Sequence, residues 1–190
     1  MNYVYTKILI ASIFLGCSLH LHAQEKYTTR SGIAEFEAST PSYEPVVARN
    51  KSVSAVLQLE TQKFASVVFI NAFEFENALM QEHFNENYLE SEKYPKATFK
   101  GTLQELSPNQ LNAQKTSYTL NGELTIHGKT QPIQTGVTIQ KNKDETIRLQ
   151  ARFEIGAEEY DIKIPSVVRH KIAERISIKV DFSLEKQKER

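Results

Sequence analysis

The stretch ISIKVDFSL, residues 176–184, alternates without interruption between apolar and polar side chains. Successive side chains of a β-strand point to opposite faces, so this pattern is typical of a strand with one buried and one solvated face. Strands of this kind are common in antiparallel sheets, whose outer face can meet water. The stretch therefore predicts an antiparallel β-protein.

The same alternation recurs along most of the chain. It is found again at residues 53–59, 67–75, 118–126, 133–139 and 147–155, and further strands are expected at 32–38 and 97–106. Turn-forming residues separate these segments, most clearly Ser107-Pro108-Asn109 and Asn142-Lys143-Asp144. About eight half-buried strands with few helices predict a sandwich or a barrel, and the alternation alone does not separate these two architectures.

Two segments interrupt the predicted strands. Met80, Phe84 and Tyr88 recur at steps of four within residues 77–90, which predicts a short helix with one apolar stripe. Residues 165–174 are compatible with one helical turn or with a long loop. We therefore expect short helical insertions at both places in an otherwise all-β domain.

The N-terminal residues have the composition of an export signal. Lys7 precedes an apolar run at residues 8–15, which is too short to span a membrane. We expect a signal peptide over residues 1–23, cleaved after Ala23, and a protein that is periplasmic or secreted. The alternative is a lipoprotein anchored through Cys17, which follows a glycine.

Residues 24–190 are expected to form a single domain, of a length that can bury a substantial core. The whole chain carries 23 basic and 23 acidic residues, and a neutral chain has no electrostatic attraction to nucleic acid. No apolar run of about 18 residues follows the signal, so no transmembrane segment is expected after processing.

No motif predicts a bound cofactor or a metal site. Residues 128–130, Gly-Lys-Thr, resemble the end of a phosphate-binding loop, but Glu123 stands where that motif requires glycine. A tight turn at Gly128 is the better interpretation. Cys17 is the sole cysteine, and the three histidines beyond the signal have no paired spacing that would predict zinc ligands: His83, His127 and His170.

A hydrolase is the catalytic alternative, with Glu82, His83 and Glu86 as candidate acid and base groups. The two glutamates, however, fall at helical spacing beside the apolar stripe, which is typical of a solvated helix face. The preferred interpretation is that the protein is not an enzyme.

Two passages carry a resemblance to a known family. The first contains His83-Phe84, Tyr88, Lys93-Tyr94-Pro95 and Thr98-Phe99 in that order, and the second is GELTIHG at residues 122–128. With these passages the chain resembles the YceI-like family of secreted lipid-binding proteins. The resemblance implies an eight-stranded antiparallel, lipocalin-like barrel around a deep apolar tunnel. It also implies non-catalytic binding or transport of a polyisoprenoid or another long-chain lipid.

Within such a barrel, the inward side chains of the strands are the candidate ligand contacts. They are Leu57, Phe69, Phe73, Phe99, Leu120, Leu124, Ile147, Leu149, Phe153, Ile178 and Val180. The insertion that carries Met80, Phe84 and Tyr88 is expected at the barrel mouth, or as a plug that closes the core. The residues alone favour a filled core, which would make the protein a ligand-free envelope interaction or stress-response module; only the resemblance favours a cavity.

Overall fold

The computed structural model describes residues 25–187, so the expected signal peptide and Cys17 lie outside the described residues. The described strands are β1 (Lys26–Ser39), β2 (Val47–Gln58), β3 (Lys63–Phe69), β4 (Glu74–Phe75), β5 (Lys96–Gln104), β6 (Thr116–Ile126), β7 (Lys129–Lys141), β8 (Ile147–Gly156) and β9 (Ile172–Lys186). The helical segments are Ala78–His83, the π-helical turn Phe84–Tyr88, Ser166–Arg169, and 3₁₀ turns at Ile70–Ala72, Pro108–Gln110 and Ala157–Tyr160. Among residues 25–187, no helix has the length and apolar character needed to cross a membrane.

The strands close into a barrel. The hydrogen-bonded order is β1-β9-β8-β7-β6-β5-β3-β2, and β1 pairs with β2 to complete the circle. Every neighbouring pair is antiparallel, and the two-residue β4 only extends the edge of β2. The predicted eight-stranded antiparallel barrel is therefore confirmed, and the sandwich alternative is wrong.

The hairpin between β6 and β7 turns in two residues. His127 and Gly128 have φ angles of 51° and 76°, the left-handed pair that a type I′ turn requires. A Cβ atom at Gly128 would lie 2.7 Å from the Tyr94 ring, so glycine is needed here for space as well as for conformation. The tight turn expected at Gly128 is present.

The first insertion is helical, but it changes type along its length. Asn77 caps the Ala78–His83 helix, because its Oδ1 accepts hydrogen bonds from the backbone N–H groups of Leu79 at 3.0 Å and Met80 at 3.3 Å. The chain then continues as the π-helical turn Phe84–Tyr88. The second insertion is shorter than expected, since residues 172–174 already belong to β9.

The alternation in β3 does not continue into the residues after it. Phe64, a residue of β3, faces the core, but the 3₁₀ turn at Ile70–Ala72 shifts the inward parity before Phe73. Phe69 is therefore 44% exposed on the outer face, with the Lys96 ammonium 5.0 Å from its ring centroid. The prediction that Phe69 is an interior residue was wrong. The 3₁₀ turn between Phe69 and Phe73 has three residues per turn, so the period-two alternation does not continue across it.

The two ends of the barrel differ in packing. One end contains the first residues of β1 and the last residues of β2. It is filled by side chains that are almost completely buried: Tyr27, Leu57, Leu59, Leu103, Leu106, Ile139, Ile147 and Leu184. The opposite end carries the helical insertions and the 40–46 loop. The barrel is therefore closed at one end, and any internal space is reached from the helical end.

Candidate ligand-binding cavity

An apolar cavity of about 170 Å³ lies inside the barrel; we call it the inner chamber. Eight of the predicted interior residues line it: Phe73, Phe99, Leu120, Leu124, Leu149, Phe153, Ile178 and Val180. Leu57 and Ile147 also point inward, but they belong to the packed end and do not line the chamber. Phe69 is outside. The sequence thus identified much of the wall but not the depth at which each side chain lies.

Small side chains on adjacent strands leave this space open. Ala34 of β1 is paired with Val180 of β9, and Val180 is paired in turn with Ala151 of β8. All three line the inner chamber. The side chains of this row are short, so they do not reach across the barrel to the opposite wall. An eight-stranded barrel is only just wide enough to be filled by side chains, so one row of short ones is sufficient to leave a cavity.

A second cavity, of about 300 Å³, lies at the helical end; we call it the outer chamber. Met80, Phe84 and Tyr88, the predicted mouth residues, all line it. Further parts of its wall come from the 40–46 loop, which contributes Tyr43, from the second insertion, which contributes Val168, and from the barrel strands β1 and β9. The helical insertions therefore form a chamber of their own over the barrel opening, rather than a solid plug.

The rim beyond the outer chamber is polar and carries both charges. Lys129 Nζ lies 2.8 Å from Asp161 Oδ2, and the hydrogen bond with this ammonium lowers the pKa of the Asp161 carboxyl. Arg169 Nη1 lies 3.0 Å from Glu158 Oε1. Nearby, burial raises the pKa of Tyr160 to about 12. An apolar interior with a few polar groups near the opening is typical of ligand pockets.

The candidate hydrolase residues do not form a catalytic cleft. Glu82 and Glu86 are exposed and line neither chamber, whereas His83 is exposed at the edge of the outer chamber. In residues 25–187, no group of three or more His, Cys, Asp or Glu side chains is arranged to hold a metal ion.

Comparison with known proteins decides the family. The sequence model of the YceI-like domain family matches residues 26–184, which is nearly all of the described chain. The chain belongs to the YceI-like family. No match is found among curated proteins.

Solved structures agree with the YceI-like fold. A polyisoprenoid-binding domain from Saccharophagus degradans, implicated in plant cell wall breakdown, is 15% identical with a TM-score of 0.75, over 87% of this chain and 100% of that one. Burkholderia cenocepacia BcnA is 18% identical with a TM-score of 0.65, over 80% of this chain and 94% of its own. The Campylobacter jejuni YceI protein is 19% identical with a TM-score of 0.60, over 79% and 90%.

The two passages that resemble the YceI-like family meet in space at His127. Its Nε2 lies 2.7 Å from Glu90 Oε2, and its Nδ1 lies 3.2 Å from the carbonyl oxygen of Tyr160. The Tyr94 ring packs edge-on against the imidazole at a centroid distance of 4.5 Å. Sequence analysis did not predict that His127 contacts Glu90 and Tyr94. The presence of both passages in one chain was the available signal that they lie together in the fold. His127 joins the first insertion to the β6–β7 hairpin.

We expect His127→Ala to lower the free energy of unfolding by about 1–3 kcal/mol, because the Glu90 carboxylate and the Tyr160 carbonyl lose their partner. Urea unfolding of the purified domain measures this change. His170→Ala is the control, since that side chain is exposed at the same end of the barrel, and it should cost no more than about 0.5 kcal/mol. Equal losses in both variants would contradict the joining role of His127.

Proposed function

We propose that this YceI-like protein binds a long apolar molecule, a polyisoprenoid or another long-chain lipid, in the barrel and carries or sequesters it without catalysis. The observation that carries the proposal is the pair of neighbouring apolar chambers, which run from the barrel interior to the helical end and stop at a packed floor. The Saccharophagus degradans domain of the same fold is described as polyisoprenoid-binding, which supports this ligand class.

The energetics of such a site favour chains over compact molecules. Each buried methylene contributes about 0.8 kcal/mol, and part of that gain is lost in ordering the chain and the protein. The wall of the inner chamber is almost wholly apolar, and the buried Thr135 hydroxyl lies within hydrogen-bonding distance of the backbone carbonyl of Arg152, at 3.4 Å. Recognition inside the barrel would therefore rest on shape and burial, and the polar rim would orient a head group.

Lipid extraction of the purified protein, followed by mass spectrometry, tests the proposal. We expect a prenyl or acyl lipid that copurifies with the folded protein and is absent from a heat-denatured sample washed in the same way. The delipidated protein should then take up geranylgeraniol in a binding titration. If no lipid is recovered and no prenyl alcohol binds, the carrier proposal is wrong.

The second candidate is a ligand-free interaction module with a filled core. It is favoured by one observation, the small size of the inner chamber compared with a long lipid. The same extraction distinguishes the two candidates, because a filled-core module would return no lipid and would not bind geranylgeraniol in any variant.

We propose further that the protein acts outside the cytoplasm, as the N-terminal composition predicts. Mass spectrometry of the protein from its native membrane and soluble fractions would identify the mature N-terminus. A terminus at Gln24 supports cleavage after Ala23 and a free periplasmic or secreted protein. A lipid-modified terminus at Cys17 would instead support a membrane-anchored lipoprotein.

A further inference from the structure

Two aromatic side chains stand between the two chambers. Phe84 is among the few residues that line both, together with Phe36 on β1. The two rings stack with a centroid distance of 5.2 Å and an interplanar angle of 22°. Phe73 and Phe75 pack against Phe84 at 5.7 and 5.1 Å. Phe36 makes the same two contacts, at 5.4 and 5.7 Å. Phe73 lines only the inner chamber and Phe75 only the outer one, so Phe84 and Phe36 together form the aromatic partition.

The sizes of the chambers show what this partition prevents. An apolar protein cavity of about 150 Å³ accommodates a molecule of the size of benzene. The inner chamber, at about 170 Å³, therefore holds only a short apolar group while Phe84 is in place. A long chain can fill the barrel only if the inner space joins the 300 Å³ of the outer chamber. Phe36 lies on a barrel strand and Phe84 on the insertion, so joining the chambers without opening the sheet requires the Phe84 ring to move.

The helical segment that carries Phe84 is less deeply buried than the barrel strands. Neither the Ala78–His83 helix nor the π-helical turn Phe84–Tyr88 contains a fully buried residue. Segments with few buried apolar contacts open at a lower free energy than the packed strands. The π-helical turn begins at Phe84 itself, and such turns occur frequently at functional sites.

The helical segment that carries Phe84 is anchored by side-chain contacts at both of its ends. At its start, the Asn77 side chain caps the helix and its Nδ2 donates to Glu44 Oε1 at 3.2 Å. At its end, Glu90 has a φ angle of 43° and is held by His127. Rotation about these two positions would carry the Phe84 ring out of the aromatic cluster, together with the buried Leu89, which also lines both chambers.

We propose that Phe84 is the specificity-determining residue of the cavity: its ring separates the two chambers, and its displacement sets the length of the apolar chain that the barrel accepts. This inference rests on the proposed lipid-binding function and adds to it the element that selects chain length. A short chain occupies one chamber without moving Phe84. A long chain binds only at the cost of breaking the contacts of Phe84 with its aromatic neighbours.

Titration of the delipidated protein with geraniol, farnesol and geranylgeraniol, which differ only in the number of prenyl units, tests the inference. In Phe84→Ala only the Phe36 ring of the aromatic partition remains, so we expect about tenfold tighter binding of geranylgeraniol and a change within about threefold for geraniol. Phe73→Ala and Phe75→Ala are matched controls. Each removes the same ring but enlarges a single chamber, so neither should produce that length-dependent gain.

The possible outcomes separate the two proposals. If the wild-type protein binds prenyl alcohols but Phe84→Ala keeps the wild-type dependence on chain length, the role of Phe84 is refuted and the carrier function stands. If no protein binds any of the alcohols, the carrier function fails and the inference fails with it. Should Phe84→Ala unfold, Phe84→Leu keeps an apolar side chain that is too short to reach across, and the same length-dependent gain is expected.

Discussion

Ala151→Phe is expected to lower the affinity for geranylgeraniol by about 100-fold while the barrel remains folded. Ala151 belongs to the row of small side chains that leaves the inner chamber open. A phenyl ring placed there would occupy most of about 170 Å³, since benzene fills a cavity of similar size. Excluding about four methylene-sized groups of the ligand removes about 3 kcal/mol of binding free energy. A binding titration of the delipidated protein measures the loss.

Gly136→Phe is the matched control for this prediction. Gly136 lies on β7, and a Cβ atom added there meets no atom within 4 Å. Gly136→Phe adds the same phenylalanine side chain as Ala151→Phe, but on the outer face. It should bind geranylgeraniol as the wild-type protein does. If Ala151→Phe binds the alcohol with unchanged affinity, the ligand does not occupy the inner chamber.

Phe182→Ala is expected to destabilise the domain by about 3–5 kcal/mol, the largest effect on stability that we predict. Phe182 is only 1% exposed, and its ring packs 5.5 Å from that of Phe64. It also lies against Gly32, where a Cβ atom would come within 2.5 Å of Phe182 Cδ1. Removal of the ring leaves a space that the surrounding strands, fixed by hydrogen bonds on both sides, cannot close. Thermal unfolding should show a Tm lowered by on the order of 10 °C.

Phe69→Ala provides the comparison, because it truncates the same side chain on the outer face. Phe69 is 44% exposed, and the main contact it would lose is the one with the Lys96 ammonium. The expected loss is no more than about 1 kcal/mol. A loss as large as that of Phe182→Ala would mean that Phe69 faces the interior after all, as the alternation first predicted.

The local features of this protein follow from its sequence alone. Alternation with period two requires strands with one buried face, and it identified most of them because that pattern depends only on neighbouring residues. The turn at Gly128 and the short helix over the mouth were predicted for the same reason. Each is specified by residues within a few positions of one another.

The remaining features become visible only in the folded protein, because they depend on residues that are far apart in the chain. The pairing of β1 with β2 closes the barrel, and alternation is the same in a closed and an open sheet. Parity gives the face of a side chain but not its depth along the barrel axis, so Leu57 and Ile147 were not distinguished from residues that line the chamber. A single 3₁₀ turn reversed the parity between Phe69 and Phe73. Ala34, Val180 and Ala151 come into one row of the cavity wall, and strand register alone brings them together.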